Sequence, residues 1–141
     1  MPRHVAEPRP PRGLIDTSVV IDLPDIDLSL LPAEVAISAV TLAELAAGPH
    51  ATSDAAERAR RQDRLQRAEA TFEPLSVNAN VARAYGRVYA AVVVTSGRKA
   101  RGRRVVDLLI AATAVAAGLP LYTRNPDDFA GLSDLLRIIS I

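Results

Sequence analysis

Short apolar runs of strand length alternate along this chain with segments of helical periodicity, and this alternation limits the choice of fold. Strands are predicted at residues 13–16, 35–38, 75–77, 120–123 and 137–141. A turn or short helix is predicted at residues 17–23, and helices at residues 41–47, 53–71, 78–95 and 105–117. Such alternation favours a parallel sheet covered by helices. We therefore predict an α/β fold, a three-layer sandwich on a mostly parallel sheet.

The chain of 141 residues has the size of one domain, which is long enough to bury about two thirds of its unfolded surface. Hydrophobic residues make up 49% and charged residues 23%, a composition typical of globular proteins. Residues 1–12 combine four prolines with basic residues and lack periodicity. We predict a flexible, basic, proline-rich arm at residues 1–12 and one domain at residues 13–141.

Composition excludes several classes of site. The chain has no cysteine, so disulfides, thiolate metal sites and a cysteine nucleophile are impossible. It has two histidines, which are too few for a histidine-rich metal centre. The longest apolar run, residues 108–121, is too short to span a bilayer, and no secretory signal is visible. We expect a cytoplasmic protein without a membrane-spanning segment.

Four acids lie at positions that the predicted layout would bring to the same edge of the sheet. Asp16 ends the first strand, and Asp128 lies in the loop after the strand at 120–123. Glu44 is predicted in the first turn of the helix after the second strand, and Asp107 is predicted to begin the helix that precedes the strand at 120–123. Carboxyl ends of parallel strands and amino ends of the following helices share one edge of a sheet, where ligands bind. We therefore expect these four side chains to converge there.

Each acid, taken alone, has an ordinary structural explanation. Asp16 could cap a helix, and the spacing from Thr41 to Glu44 fits a capping box. Asp107 would be favoured by a helix dipole, and Asp128, in a proline-containing loop, fits a turn. Taken one at a time, the structural explanations are the stronger ones.

Taken together, the acids predict a metal site. Two carboxylates about 5 Å apart repel by roughly 3 kcal/mol at an effective dielectric of about 20, so a bare cluster would have to bind protons. A hard divalent cation removes that cost, and oxygen ligands suit Mg²⁺ or Mn²⁺. Such cations activate water and neutralise the charge that develops on a phosphodiester. The acids therefore indicate phosphodiester hydrolysis.

The net charge is only +1, so the distribution of charge is more informative than its sum. Residues 98–104 form a predicted loop with five cations and no acid. We predict either a loop that binds the phosphate backbone of a nucleic acid or a solvated basic surface loop. Arginines of residues 58–67 interleave with acids, which is typical of a salt-bridged helix face. The candidates for backbone binding are Arg98, Lys99, Arg101 and Arg104.

Four segments of the chain resemble the signature segments of PIN-domain nucleases: residues 14–21, 38–44, 107–114 and 121–129. In size and in these segments the chain is similar to VapC-type toxins of bacterial toxin–antitoxin pairs. The resemblance implies a PIN-like fold and Mg²⁺- or Mn²⁺-dependent cleavage of RNA. It also implies a homodimer and a cognate antitoxin that covers the site.

The resemblance also implies roles for individual residues. The metal-site acids, which are also the catalytic residues, would be Asp16, Glu44, Asp107 and Asp128. Supporting roles fall to Thr123 and Asn125, and to Ser18 as a residue that orients Asp16. The acid before Phe129 is doubled. We prefer Asp128 over Asp127, because the family's acid directly precedes the phenylalanine.

Two other functions remain open on the sequence. A phosphate-handling enzyme with Asp16 as nucleophile should carry a second acid two residues later, where this chain has Ser18. A catalytically silent PIN-like binding module would keep the fold and lose the chemistry, although the presence of all four acids argues against it. DNA cleavage also stays open as a variant of the nuclease hypothesis.

Overall fold

The computed structural model describes residues 10–141, which contain five helices and four of the five predicted strands. The strands are β1 (Arg12–Ile15), β2 (Glu34–Ala36), β3 (Leu121–Thr123) and β4 (Ile138–Ser140). The helices are α1 (Thr17–Asp22), α2 (Ala39–Ala47), α3 (Ala55–Thr71), α4 (Ala79–Ser96) and α5 (Arg103–Ala117). Short 3₁₀ turns at Leu23–Asp25, Leu28–Leu30, Gly48–Ala51 and Pro126–Phe129 connect them.

The four strands form one parallel sheet in the order β2-β1-β3-β4. Leu14 of β1 lies opposite Ala36 of β2 on one side and Leu121 of β3 on the other. The two central strands, β1 and β3, are therefore close in space although most of the chain separates them in sequence. This pairing brings the segments after Ile15 and after Thr123 to the same edge of the sheet.

Successive strand residues enter two separate cores, one on each face of the sheet. Leu14 and Leu121 pack with α4 and α5, whereas Ile15 and Tyr122 pack with α1, α2 and α3. Alternation of this kind is expected for strands, whose side chains point to opposite faces in turn. The predicted three-layer α/β sandwich is confirmed.

Three predicted helix starts are wrong by a few residues. Helix α2 begins at Ala39, because the Ser38 hydroxyl caps it by accepting from the Val40 amide at 3.1 Å. The predicted capping box ending at Glu44 is therefore not formed, and Glu44 lies beyond the first turn. Helix α3 begins at Ala55, two residues after the predicted start at Ser53, and is capped by Asp54, whose carboxylate accepts from the Glu57 amide at 3.0 Å.

Helix α5 also begins earlier than predicted, at Arg103. Gly102 precedes it with φ +57°, a conformation that a residue with a Cβ rarely adopts, and it ends the irregular segment. Arg103 and Arg104 therefore belong to a helix and not to the predicted basic loop. Asp107 lies one turn into the helix, so the prediction that Asp107 begins it is wrong.

The predicted strand at residues 75–77 is reduced to a single bridge. Leu75 pairs with Ser38, and its amide donates to the Ile37 carbonyl at 2.9 Å. Asn78 already caps α4, which leaves no room for a longer strand. At the other end, β1 begins at Arg12, inside the predicted arm; residues 1–9 of that arm lie outside the described residues. No helix within residues 10–141 is long and apolar enough to cross a membrane.

Candidate active site

Asp16 lies at the end of β1, where hydrogen bonds fix both of its carboxylate oxygens. Oδ1 accepts from the Val19 amide at 3.1 Å, which caps α1, and from the Ser18 hydroxyl at 2.5 Å. Oδ2 accepts from the Thr123 hydroxyl at 2.5 Å. Because the side chain is only 5% exposed and held by three donors, its orientation is set by the ends of β1 and β3.

The two hydroxyls that hold Asp16 are themselves held by the backbone after β3. The Ser18 hydroxyl accepts from the Arg124 amide at 3.1 Å, and the Thr123 hydroxyl accepts from the Asn125 amide at 3.0 Å. Ser18 and Thr123 thus contact the acid that they were predicted to support. Asn125 contributes through its backbone amide. Ser18 also stands where a second acid would be needed for an aspartyl-nucleophile enzyme.

Glu44 is positioned by a threonine that directly follows Asp16. The Thr17 hydroxyl donates to Oε1 of Glu44 at 2.6 Å and lies 3.0 Å from the hydroxyl of Thr41. Both threonines are buried. Neither threonine was predicted to take part in the site, although Thr41 lies three residues before Glu44 and so on the same helical face, which is a usable signal.

Asp107 shows most directly that the four acids act on one another. Its pKa is raised from 3.8 to about 6, mainly by burial and next by the negative charge of Asp128. Arg103 opposes the shift, whereas Glu44 and Asp16 add to it. All four acids predicted from the sequence therefore lie near enough to one another at this edge for the other three to raise the pKa of Asp107.

Burial and charge distinguish the two adjacent acids, Asp127 and Asp128, in the loop after β3. Asp128 is half-buried in the turn Pro126–Phe129 and is the carboxylate that raises the pKa of Asp107 most. Asp127 is exposed and has no part in that shift. The structure thus brings Asp128, and not Asp127, to the other three acids.

The donor set matches a hard divalent cation in chemical type. It consists of carboxylate oxygens, and the raised pKa of Asp107 marks negative charge that the neighbouring side chains only partly neutralise. As placed, no three acids within residues 10–141 form a closed group of ligands for one ion. Hydroxyl groups donate to both oxygens of Asp16 and to Oε1 of Glu44.

The predicted RNA-binding cations lie where α4 ends and α5 begins. The side chains of Arg98, Lys99, Arg101 and Arg104 line one open cavity of about 510 Å³. None of them forms an ion pair with another residue of the described chain. Since Asp107 lies one turn along α5 from Arg104, this basic cavity adjoins the acidic edge.

The second basic stretch, on α3, is mostly a salt-bridged helix face, as predicted. Glu57 pairs with Arg60 at 2.7 Å and with Arg61 at 3.0 Å, and Asp63 pairs with Arg67 at 2.8 Å. Arg64 is an exception, because its guanidinium makes no ion pair or hydrogen bond within residues 10–141.

The structure is a three-layer α/β sandwich with a cluster of four acids at one edge of its parallel sheet. Comparison with known sequences identifies the family. The sequence pattern of the PIN domain matches residues 14–135, so the chain belongs to the PIN-domain family. It is 39% identical over 126 residues to Ribonuclease VapC5 of Mycobacterium tuberculosis, covering 87% of this chain and 89% of that protein. Ribonuclease VapC4 of the same organism is 36% identical over 137 residues, with 92% and 97% covered.

A solved structure supports the same grouping. The chain is similar to a crystal structure of VapBC-5 from Mycobacterium tuberculosis, described as a member of the VapBC family of toxin–antitoxin systems. The TM-score is 0.79 at 38% sequence identity, with 94% of this chain and 100% of that chain covered. PIN-domain nucleases of the VapC type are metal-dependent in general.

Proposed function

We propose that this chain is a metal-dependent endoribonuclease, the toxin of a toxin–antitoxin pair, that hydrolyses RNA phosphodiester bonds. The observation that carries the proposal is the convergence of four acids on Asp107, whose pKa rises to about 6. A purely structural role does not explain the clustering of these acids, because bringing like charges together lowers the stability of the fold. The relatives named Ribonuclease VapC give the class of substrate.

Mg²⁺ or Mn²⁺ would be held by Asp16, Glu44, Asp107 and Asp128. Oxygen donors favour these hard ions, the chain has no cysteine, and His50 is an exposed residue of the turn Gly48–Ala51. When bound, such a cation supplies an activated water and neutralises charge on the phosphodiester.

The remaining residues of the site position the acids. Ser18 and Thr123 hold Asp16 through both of its oxygens, and the Asn125 amide in turn holds Thr123. Thr17 holds Glu44 from the first residue of α1. Pre-positioning of this kind lowers the reorganisation needed when substrate binds.

The cavity lined by Arg98, Lys99, Arg101 and Arg104 would bind the RNA backbone. Aromatic residues make up only 4% of the chain, so stacking on bases contributes little and phosphate contacts must supply most of the affinity. Four unpaired cations next to the acidic edge suit this task.

The biochemical test is cleavage of RNA by the purified protein with Mg²⁺ or Mn²⁺. We expect activity that EDTA abolishes and that Asp16→Asn and Asp107→Asn remove, with the fold checked by circular dichroism. Asp25→Asn, at an exposed acid of the turn Leu23–Asp25, is a matched control that should leave activity unchanged. Wild-type activity that persists in excess EDTA would contradict the proposal.

The proposal includes a homodimer that acts in the cytoplasm and a cognate antitoxin protein that covers the acidic edge. Support comes from the similar VapBC-5 structure, which belongs to a toxin–antitoxin family. Expression of the chain alone should slow cell growth, and co-expression of the small neighbouring gene should restore it. Harmless expression of a protein that cleaves RNA in vitro would argue against the toxin role.

A further inference from the structure

The cavity beside Glu44 holds two guanidinium groups that form no ion pair within residues 10–141. This cavity, of about 400 Å³, is lined by Thr17, Glu44 and Leu45, and by Arg61, Arg64 and Arg103. It shares no lining residue with the cavity of residues 98–104. The two cavities are therefore separate cationic surfaces at the same edge of the sheet.

Arg64 and Arg103 reach this cavity from opposite layers of the sandwich. Arg64 lies on α3, which packs on one face of the sheet, and Arg103 lies on α5, which packs on the other. Neither guanidinium has an ion pair or hydrogen bond within residues 10–141. Arg61 differs, since it is bound to Glu57 at 3.0 Å and to the Gly48 carbonyl at 2.9 Å.

The carboxylates of this cavity do not account for the two arginines. Glu57 is already shared by Arg60 and Arg61. Glu44 accepts from Thr17 and is one of the acids assigned to the metal. The positive charge of Arg103 lowers the pKa of Asp107, but the two form no ion pair, and Asp107 is also assigned to the metal. Arg103 also stands in the first turn of α5, where the helix dipole disfavours a cation. An anion from outside the chain would supply the missing charge.

We propose that Arg64 and Arg103 bind one phosphate of the RNA backbone next to the scissile phosphodiester, on the Glu44 side of the acidic edge. This inference rests on the proposed function and extends it, because it defines a second phosphate site apart from residues 98–104. Arg103 and Arg104 are about 100° apart around the axis of α5, so they serve the two different cavities. The bound strand would then cross the start of α5.

An acidic side chain of a partner protein is the other anion that could enter the cavity. RNA is favoured because Glu44 lines the cavity and belongs to the acid cluster. A strand that brings one phosphodiester to those acids must carry a neighbouring phosphate close by, whereas nothing in the described chain requires a carboxylate there.

The test measures binding of short single-stranded RNAs, each with one backbone phosphate replaced by an uncharged methylphosphonate. Binding is followed by fluorescence anisotropy in the Asp16→Asn background, which keeps the RNA intact. In the background protein, a methylphosphonate at one position flanking the cleavage site should lower RNA affinity several-fold. When the background protein also carries Arg64→Gln and Arg103→Gln, the same replacement should lower affinity no further, because the arginines that bind this phosphate are already lost.

The double variant should also lower the slope of log affinity against log salt by about 0.7 for the one lost phosphate contact. Arg87→Gln, at an exposed arginine of α4 outside both cavities, is the control and should leave position effects and slope unchanged. A flanking methylphosphonate that costs the same with and without the two arginines would overturn the inference. So would a double variant that binds RNA normally and loses affinity only for the antitoxin.

Failure of the nuclease proposal is recognised separately. If wild-type protein binds these RNAs with the predicted coupling but cleaves none of them with Mg²⁺ or Mn²⁺, the phosphate site stands and the catalytic proposal falls. If it cleaves RNA but shows no coupling, the phosphate site falls alone.

Discussion

The Thr17 hydroxyl donates a hydrogen bond of 2.6 Å to Oε1 of Glu44 and thereby connects the start of α1 to helix α2. Thr17 directly follows Asp16, whose own oxygens are held by Ser18 and Thr123. The first acid of the site is thus fixed by β3, and the second is fixed by the residue next to the first. The spacing of the two acids depends on this bond.

Thr17→Val should therefore impair catalysis more than folding. The change keeps the shape of the buried side chain but removes the donor, so Glu44 loses its anchor. We expect kcat to fall by about tenfold to a hundredfold, as for other small misplacements of catalytic groups. Loss of one hydrogen bond should cost about 1 kcal/mol of unfolding free energy. Thr17→Ser keeps the hydroxyl and should retain most of the activity; equal losses in both variants would show that packing, not the hydrogen bond, matters.

In the absence of metal, with EDTA present, Asp107→Asn should raise the free energy of unfolding, and it should do so only at pH values above the ordinary carboxyl pKa of 3.8. The pKa of Asp107 in the folded protein is about 6, above the ordinary 3.8, so ionisation disfavours folding. Below pH 3.8 the carboxyl is protonated in both states and the substitution changes nothing. As pH rises through about 6 the wild type loses stability that the variant keeps. Because the side chain is only half-buried, we expect a gain of about 1 kcal/mol.

Urea unfolding across this pH range provides the measurement, with Asp16→Ala as the contrast. That variant loses the cap of α1 and two hydroxyl bonds, so it should be destabilised by about 1–2 kcal/mol. An Asp107→Asn variant that is less stable than the wild type above pH 6 would show that the acid cluster is not under charge repulsion.

The two adjacent acids after β3 should differ in their effect on activity. Asp128 is half-buried and raises the pKa of Asp107, whereas Asp127 is exposed and does not. We expect Asp128→Ala to lower kcat by at least about a hundredfold and Asp127→Ala by less than about threefold. The comparison uses initial rates of RNA cleavage at saturating Mg²⁺ or Mn²⁺. The opposite ranking would reassign the loop acid without affecting the other three.

The fold and the four acids were predictable because topology alone brings them together. In a parallel sheet, a residue at the end of β1 and a residue just after β3 must lie near one another, whatever their side chains do. Helix starts were harder. Ser38 was predicted as the end of a strand, yet its hydroxyl caps α2, and periodicity does not show where capping begins.

The supporting residues depend on side-chain conformation, which the sequence pattern does not specify. Arg61 and Arg64 lie in the same basic stretch, and the sequence alone gives no reason to assign them different roles. Only the structure shows that Arg61 is bound to Glu57 whereas Arg64 lines the cavity beside Glu44. Thr17 was overlooked for a related reason, because a buried threonine after a strand is usually a packing residue and its bond to Glu44 joins segments far apart in the chain.

The segment between α4 and α5 should contribute to RNA affinity and not to the chemical step. Arg98, Lys99 and Arg101 are exposed, unpaired within residues 10–141, and line the cavity at the start of α5. Their contacts to the backbone would be the same in the ground state and the transition state, and such uniform binding affects KM and not kcat. Replacing all three with Ala should raise KM, mostly at low salt, and leave the metal requirement unchanged.

The measurement is kcat and KM over a salt series for this triple variant and the wild type. Each lost phosphate contact should lower the log–log salt slope by about 0.7, so the triple variant should lose up to about 2. Arg83, Arg87 and Arg137, all exposed and outside this cavity, can be replaced together as a control of equal charge. An unchanged slope in the first variant would show that the segment does not contact the backbone. A collapse of kcat with KM preserved would instead place one of these cations at the transition state, because only an interaction formed there changes kcat alone.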